Sequence, residues 1–290
     1  MKSFYDVLAP AKLNTFLHIT GRRADGYHLL QSVFMLIDWC DTLHFEKRSD
    51  GKISREDLTT PLPADDLVVR AAKALQHFTQ CPWGVHIGIA KSIPAQAGMG
   101  GGSSDAASTL LALNRLWKLN LPSQTLASIG LSLGADVPFF LGGGNAWVEG
   151  IGEKITPMVL PAASFVVVKP EAGLETRLIF SDPLLKRDTK LATMQDFAAN
   201  TFDFGQNDLQ QVAEKLCPDI LGSLEWLKSK GLQGRMTGSG SAVFAHLLDT
   251  ILDTIDAINH IGSAPKGMQF RICNNLLTHP LAGWVNSDVV

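Results

Sequence analysis

Several features that would point to nucleic acid, a membrane or a bound metal are missing from this sequence. Its 290 residues carry a net charge of −3 with no block of like charge, which argues against a general attraction to nucleic acid or to an acidic membrane. No apolar run is long enough to span a bilayer, and the first residues lack the apolar core of a signal peptide. We therefore expect a cytoplasmic protein that binds neither nucleic acid nor membrane.

Cysteine is also scarce, and its four positions lie far apart: Cys40, Cys81, Cys217 and Cys273. Neither a Cys-x-x-Cys pair nor a His-Glu-x-x-His run occurs, so we expect no metal ion held in a cage of protein side chains. Scattered cysteines are typical of a reducing compartment, where most of them fill the core.

Glycine, in contrast, is concentrated in the stretch Ile93–Ser108, where four of the five positions in Gly98–Gly102 are glycine. Alternating apolar residues from Val85 to Ile89 predict a strand before this stretch. Apolar residues at helical spacing predict a helix after it: Ala106, Leu110, Leu113 and Trp117. Glycine lets a ligand approach the backbone, and the first turn of a helix offers unpaired N–H groups. This order predicts an anion site, most often one for phosphate.

The alternative is a tight turn in which Ser103 or Ser104 is an ordinary N-cap. The stretch also differs from the widespread phosphate signatures. It lacks the Gly-Lys-Ser/Thr of a Walker A loop and the spacing of a dinucleotide fingerprint, and the protein-kinase motifs are absent from the sequence. A phosphate loop here would therefore belong to another class.

Two charged residues elsewhere have the chemistry that phosphoryl transfer needs. Lys12 shares one face of a predicted strand with Asn14, and it could neutralise charge on a phosphate or be an ordinary surface lysine. Asp136 precedes Pro138, a residue suited to the first turn of a helix. Its carboxylate could cap that helix, or it could take a proton from an alcohol.

Three further segments have open interpretations. Tyr27 and His28 could stack on and hydrogen-bond a base or sugar, or Tyr27 could pack on the core while His28 faces water. Lys91 ends the strand before the glycine-rich stretch, where it could reach a ligand or be solvated. A second glycine turn, Gly238–Ser241, could be a hairpin turn that needs no ligand.

The pattern of predicted elements restarts near residue 158, which predicts two domains, 1–158 and 159–290. In the second, the order of strand, helices, two strands, helix and strand is typical of a split βαβ sandwich. A helix is predicted over Asp65–Phe78, with Asp65 or Asp66 as its cap and an inward stripe of Leu67, Ala71, Ala74 and Phe78. Another is predicted around Ile251–Ile258.

Taken together, these segments resemble the GHMP kinases, named for galactokinase and for homoserine, mevalonate and phosphomevalonate kinases. The stretch Pro94–Ala107 resembles the family's phosphate loop, with Met99 in place of the usual leucine. The resemblance implies an α+β, two-domain GHMP kinase fold. Its N-terminal domain would be ribosomal-S5-like, its C-terminal domain a split βαβ (ferredoxin-like) domain, and its active site would lie between them.

Four segments narrow the resemblance: Pro10–Asn14, Arg23–His28, Gly98–Ala107 and Leu133–Pro138, with support from Asn207–Leu209 and Met236–Ser241. They are similar to the family members that use ATP and Mg²⁺ to phosphorylate the 2-hydroxyl of 4-(cytidine 5′-diphospho)-2-C-methyl-D-erythritol, in the non-mevalonate route to isoprenoid precursors. Other small-alcohol kinases, such as homoserine or mevalonate kinase, are the alternative within the family. A binding protein without activity and an RNA-binding module are the alternatives outside it.

Carried over residue by residue, the resemblance implies a role for each matching position. Asp136 would be the base and Lys12 would neutralise charge on the γ-phosphate. The nucleotide would be bound by Lys91, Pro94, Gly98, Met99, Gly100, Gly101, Gly102, Ser103 and Ser104. The cytidyl substrate would be held by Asn14, Tyr27, His28, Thr176, Phe180, Gly238 and Ser239. Tyr27 and Phe180 would sandwich the cytosine and His28 would read its edge.

The chain departs from the family pattern at Asp66, where the family usually has asparagine. A carboxylate lacks the two N–H donors of an amide, so we do not expect Asp66 to contact adenine. Ser104 is the candidate ligand for Mg²⁺, and the protein is expected to be a monomer or a weak homodimer.

Overall fold

The computed structural model describes residues 2–247 and 261–285, and its first sheet is built around a long hairpin. The strands β1 (Ser3–Arg22) and β2 (His28–Arg48) pair antiparallel along most of their length. Four shorter strands complete the sheet: β3 (Ile53–Asp57), β4 (Gly84–Ala90), β5 (Ala146–Gly150) and β6 (Lys154–Pro157). The order is β3-β4-β2-β5-β6, with β1 paired to β2 and β3 parallel to β4.

Four helices cover one face of this sheet: α1 (Leu67–Thr79), α2 (Gly101–Leu116), α3 (Ser123–Leu133) and α4 (Val137–Leu141). The central helix α2 contacts β1 and the other three helices, and almost all of its side chains are buried. Its position in the core explains the run of alanine and leucine that follows the glycines, because small side chains let several elements pack closely around one helix.

The helix α1 begins after Asp66, whose carboxylate accepts a hydrogen bond from the backbone of Val69. The predicted cap is therefore confirmed, but the predicted inward stripe is partly wrong. Ala71 is buried, whereas Phe78 is 58% exposed. The apolar arc of this helix is wide enough for two stripes, and packing against α2 selects the one that contains Val68, Ala71, Ala72 and Leu75.

The second sheet contains β7 (Ser164–Pro170), β8 (Gly234–Met236), β9 (Val243–Leu247) and β10 (Met268–Asn274), in the order β10-β7-β9-β8 with antiparallel neighbours. The chain between β7 and β8 forms α5 (Thr176–Ser181), α6 (Met194–Ala198), α7 (Gln210–Leu216) and α8 (Pro218–Ser229). Because β9 lies between β7 and β8, this is a split βαβ arrangement, as predicted. The helix predicted at Ile251–Ile258 lies outside the described residues.

One face of the second sheet packs against the first sheet through a shared apolar cluster that includes Phe16, Trp39, Phe165 and Phe244. Its other face is covered by α7 and α8. The first sheet ends at Pro157 and the second begins at Ser164, but the backbone after β10 returns to the first half, where Leu276 donates to Leu36. The boundary at 158/159 stays a prediction.

Among residues 2–247 and 261–285, no helix combines the length and the apolar character needed to cross a bilayer.

Candidate active site

The glycine loop, defined here as Pro94–Ser104, joins β4 to α2 and is anchored on β1. The backbone N–H of Lys12 donates to the carbonyl of Met99, and the buried Met99 side chain packs into the core between the sheets. Gly98 and Gly100 have φ angles of +70° and +71°, which residues other than glycine rarely adopt. The loop therefore needs glycine at these two positions to make its turn.

Gly100 is the N-cap residue of α2, so Ser103 and Ser104 lie within the first turn of the helix. The alternative in which either serine is the N-cap is wrong. The N–H groups of Gly101, Gly102 and Ser103 lie in the first turn, where a helix has no internal partners for them. They face the end of the helix where the dipole favours an anion.

The second glycine turn connects β8 to β9 and packs directly on the glycine loop. Ser241 donates its N–H to Gln96, and Ala242 donates to Ala97. A Cβ atom at Gly98 would lie 2.2 Å from the carbonyl oxygen of Thr237, and one at Gly238 would lie 2.6 Å from that of Gly98. The turn is a hairpin turn, as one interpretation had it, and it also supports the glycine loop from behind.

Lys12 projects from β1 toward the glycine loop and is buried, so it is not a surface lysine. Its ammonium donates to Asn14 Oδ1 at 2.5 Å and lies 3.7 Å from Asp136 Oδ2. Burial lowers the pKa of Lys12, and the neighbouring Asp136 carboxylate opposes this shift. The arrangement places a desolvated cation beside a carboxylate at the start of the glycine-loop helix.

Asp136 precedes α4 but makes no capping hydrogen bond, so the capping alternative is wrong. Its side chain is 33% exposed. Asn14 is hydrogen-bonded to two other segments of the chain. Its backbone N–H donates to Thr237 Oγ1, beside the second glycine turn, and its side-chain amide donates to Ser32 Oγ on β2. A carboxylate that is partly open to solvent, with a cation beside it, can accept a proton from a bound hydroxyl.

One cavity of about 870 Å³ brings most of the predicted site residues together. Its walls include Lys12, Asn14, Lys91, Pro94, Gly98, Met99, Gly100, Gly101, Gly102, Ser103, Asp136, Thr176, Phe180, Gly238 and Ser239. On this wall, the hydroxyls of Thr176 and Ser239 hydrogen-bond each other at 2.6 Å. Ser104 lies outside this wall, fully buried, and its hydroxyl has no hydrogen-bond partner among the described residues.

Tyr27 and His28 line an adjoining cavity of about 520 Å³. Phe180 lines both cavities, so the two adjoin. Tyr27 is 60% exposed and does not pack on the core, and the His28 ring lies 5.0 Å from that of Phe180. The interpretation with Tyr27 in the core and His28 in water is wrong, since both side chains face a common pocket.

A buried charge cluster at the two ends of the glycine loop was missed by the sequence analysis. The Lys91 ammonium pairs with Asp41 and Asp105, and Asp41 also accepts hydrogen bonds from the backbone of Ser92 and Ile93. Burial raises the pKa of Asp105 to about 8 against the opposing effect of Lys91. Lys91 therefore holds the strand and helix sides of the loop together, and its contact with a nucleotide stays a prediction. The acid directly after the two serines was the available signal for Asp105.

The carboxylate of Asp66 makes contacts within the protein. Besides capping α1, its carboxylate pairs with Arg55 at 2.6 Å. In the described part of the chain, no three His, Cys, Asp or Glu side chains come close enough together to hold a metal ion.

Comparison with known proteins finds relatives over nearly the whole chain. The family models for the GHMP kinases N terminal domain and the GHMP kinases C terminal match residues 66–144 and 185–250. The 4-diphosphocytidyl-2-C-methyl-D-erythritol kinase of Albidiferax ferrireducens is 68% identical, over 99% of this chain and 98% of that protein. The protein of the same name from Acidovorax sp. (strain JS42) is 65% identical, over 98% of this chain and 99% of its own length.

Solved structures also match this chain over most of its length. A crystal structure of 4-(cytidine 5′-diphospho)-2C-methyl-D-erythritol kinase has 32% sequence identity and a TM-score of 0.76, and it covers 92% of this chain and 98% of its own. The homoserine kinase from Cytophaga hutchinsonii, at 15% identity and a TM-score of 0.69 over 96% of both chains, is similar in fold alone.

Proposed function

Because this chain belongs to the GHMP kinases and, within them, to the 4-diphosphocytidyl-2-C-methyl-D-erythritol kinases, we propose that it phosphorylates the 2-hydroxyl of 4-(cytidine 5′-diphospho)-2-C-methyl-D-erythritol with ATP. This reaction is a step in the non-mevalonate route to isoprenoid precursors. The observation that carries the proposal is that two cavities adjoin and share part of their walls. One is lined by the glycine loop with Lys12 and Asp136, and the other by the aromatic rings of Tyr27 and Phe180. A kinase for homoserine or mevalonate would need only the first.

The glycine loop binds the phosphates of ATP in this proposal. The first-turn N–H groups of α2 are preorganised donors, and the helix dipole favours negative charge at the same place. The second glycine turn holds the loop in position by backbone contacts. The side chain of Met99 contributes packing, since it is buried between the sheets.

Asp136 takes the proton from the 2-hydroxyl as the hydroxyl oxygen bonds to the γ-phosphorus and the bond from that phosphorus to the β-phosphate oxygen breaks. ADP leaves with the electrons of that bond. Lys12 stabilises the negative charge on the phosphoryl oxygens, because a buried ammonium acts in a low dielectric. Asn14 orients Lys12 through the hydrogen bond between their side chains.

The cytidyl group occupies the adjoining cavity, with its ring between Tyr27 and Phe180 and its edge toward His28. Aromatic faces bind a flat base by stacking, and the exposed ring of Tyr27 is free to move onto it. Thr176 and Ser239 line the cavity of the glycine loop, where their hydroxyls can position the methylerythritol and its diphosphate.

Mg²⁺ fits this site as an ion that enters with the phosphates of ATP. Mg²⁺ prefers substrate phosphates, waters and one or two carboxylates to a cage of protein side chains. Asp136 is one of the carboxylates on the cavity wall, and Ser103 has one of the hydroxyls there. Ser104, the residue singled out from sequence, is buried behind that wall. When bound, the ion would neutralise charge on the transferred group. A cytoplasmic monomer or weak homodimer completes the proposal.

The direct test is ADP release by the purified full chain with ATP·Mg²⁺ and one of three alcohols: the cytidyl substrate, homoserine or mevalonate. We expect turnover with the cytidyl substrate alone and a new phosphomonoester signal in the ³¹P spectrum. Turnover with homoserine or mevalonate instead would be consistent with the roles of Asp136 and Lys12 but would contradict the assignment of the second cavity to cytosine. ATP binding without turnover of any alcohol would contradict the kinase proposal.

A further inference from the structure

Arg187 lies between α5 and α6, in a polar segment to which the sequence assigned no role. Its guanidinium makes four hydrogen bonds to the described residues. Its Nε donates to His28 Nε2 at 2.9 Å, and its two terminal nitrogens donate to three backbone carbonyls: those of Phe180, Asp182 and Leu185. One guanidinium therefore joins the end of the helix that carries Phe180 to the ring of His28.

This contact decides which nitrogen of His28 carries the proton. Arginine has no acceptor and stays protonated, so its Nε–H must donate and His28 Nε2 must accept. A neutral imidazole that accepts at Nε2 carries its hydrogen on Nδ1. Burial, followed by the positive charges of Arg187 and Arg22, lowers the pKa of His28 and favours this neutral ring.

The Nδ1–H group is left for a ligand. No hydrogen bond engages it among the described residues, and His28 lines the pocket that Tyr27 and Phe180 share. At ring position 3, cytosine has an unprotonated nitrogen that accepts a hydrogen bond, whereas uracil has an N–H that donates one. A fixed donor suits the first base and opposes the second.

We propose that Arg187 is a specificity-determining positioning residue, which fixes the Nδ1–H form of His28 and so makes the pocket select cytosine over uracil. This inference rests on the proposed function, because it assumes that the pocket receives the base. A merely structural Arg187 would hold the end of α5 without affecting the choice of base, and the two roles are separable by experiment.

The first test is spectroscopic and needs no substrate. Long-range ¹H–¹⁵N spectra of the full chain labelled with ¹⁵N-histidine show which ring nitrogen is protonated, and the His28→Asn variant assigns the signal. We expect Nδ1–H in the wild type and a shift toward Nε2–H, the form preferred in water, in Arg187→Met. Arg48→Gln is the matched control, because Arg48 also uses its guanidinium in an ion pair, with Asp50, but lines neither cavity.

The second test compares turnover of the cytidyl substrate with that of its uridyl analogue. In Arg187→Met we expect the ratio of the two kcat/KM values to fall by about tenfold, the scale of one mispaired polar contact, mainly through a higher KM for the cytidyl substrate. Arg187→Lys retains a cation and one donor and should recover part of the ratio.

Three results would overturn the inference: an Nε2–H form in the wild type, an unchanged His28 spectrum in Arg187→Met, or equal losses on both substrates. The wild-type spectrum decides the first point even if a variant fails to fold. A wild-type chain that does not phosphorylate the cytidyl substrate would instead contradict the proposed function, and the spectra would still report on the tautomer.

Discussion

The substitution Gly98→Ala tests whether the two glycine turns are interlocked. The new Cβ would lie 2.2 Å from the carbonyl oxygen of Thr237, which is backbone and cannot rotate away. The difference from the 3.4 Å at which ordinary van der Waals contact begins is about 1.2 Å, so the two loops must separate by that amount. The left-handed backbone at φ +70° adds about 1–2 kcal/mol for a residue with a side chain.

Both effects should be measurable. A displacement of about 1 Å in a catalytic loop is expected to lower kcat by about 10²-fold. The backbone strain alone should lower Tm by roughly 2–8 °C. The assay is steady-state ADP release with the cytidyl substrate, together with thermal unfolding followed by circular dichroism.

Gly222→Ala is the matched control. Gly222 lies within α8, outside both cavities, and its Cβ would meet only the end of the Met268 side chain at 3.5 Å. We expect unchanged kcat and a gain of about 1 kcal/mol in stability, the propensity of alanine over glycine in a helix. A Gly98→Ala enzyme with wild-type kcat, KM for ATP and Tm would refute the interlocked arrangement.

Three further predictions follow from the site. Asp136→Asn should lower kcat by about 10²–10⁴-fold with cytidyl binding retained, because an amide cannot accept the proton; a near-normal rate would contradict the base assignment. Tyr27→Ala should raise the KM for the cytidyl substrate more than it lowers kcat, while Phe78→Ala, a similarly exposed aromatic on α1, should change neither. Asp105→Asn should become more stable relative to the wild type as pH rises from about 4 to about 8. The folded-state pKa of Asp105 is raised to about 8 from 3.8, so the folded wild type keeps a proton that the unfolded chain has lost, and its free energy of unfolding falls across this interval. A Tm difference between the two proteins that stays constant with pH would contradict the shift.

The sequence predicted the local elements of the site well. Strand, glycine loop and helix follow one another as their spacing indicated, and the cap of α1 is at one of the two predicted residues. These features depend on neighbours within a few positions along the chain, and φ preferences, capping and periodicity act over that distance. The exposed Phe78 shows where such local prediction fails, because the buried face of α1 is determined by its packing against another helix, α2.

Charge pairing across long separations could not be predicted in the same way. From the residues alone, Lys12 could be a surface lysine and Asp136 could be a helix cap. In the structure, Lys12 is buried on β1, which packs against α2, and Asp136 makes no capping hydrogen bond. The Lys91 cluster and the contact of Arg187 with His28 join positions that are 14 to 159 residues apart.

By itself, the sequence determined where a phosphate loop could form, which elements flank it and, through resemblance, the family. Only the tertiary structure decided which polar side chains meet, because a buried charge needs its partner within hydrogen-bond distance and the partner comes from another element. It also decided that two cavities adjoin. The wall that they share contains Leu30, Ile151 and Phe180, which lie far apart along the chain, so no local stretch of the sequence could show it.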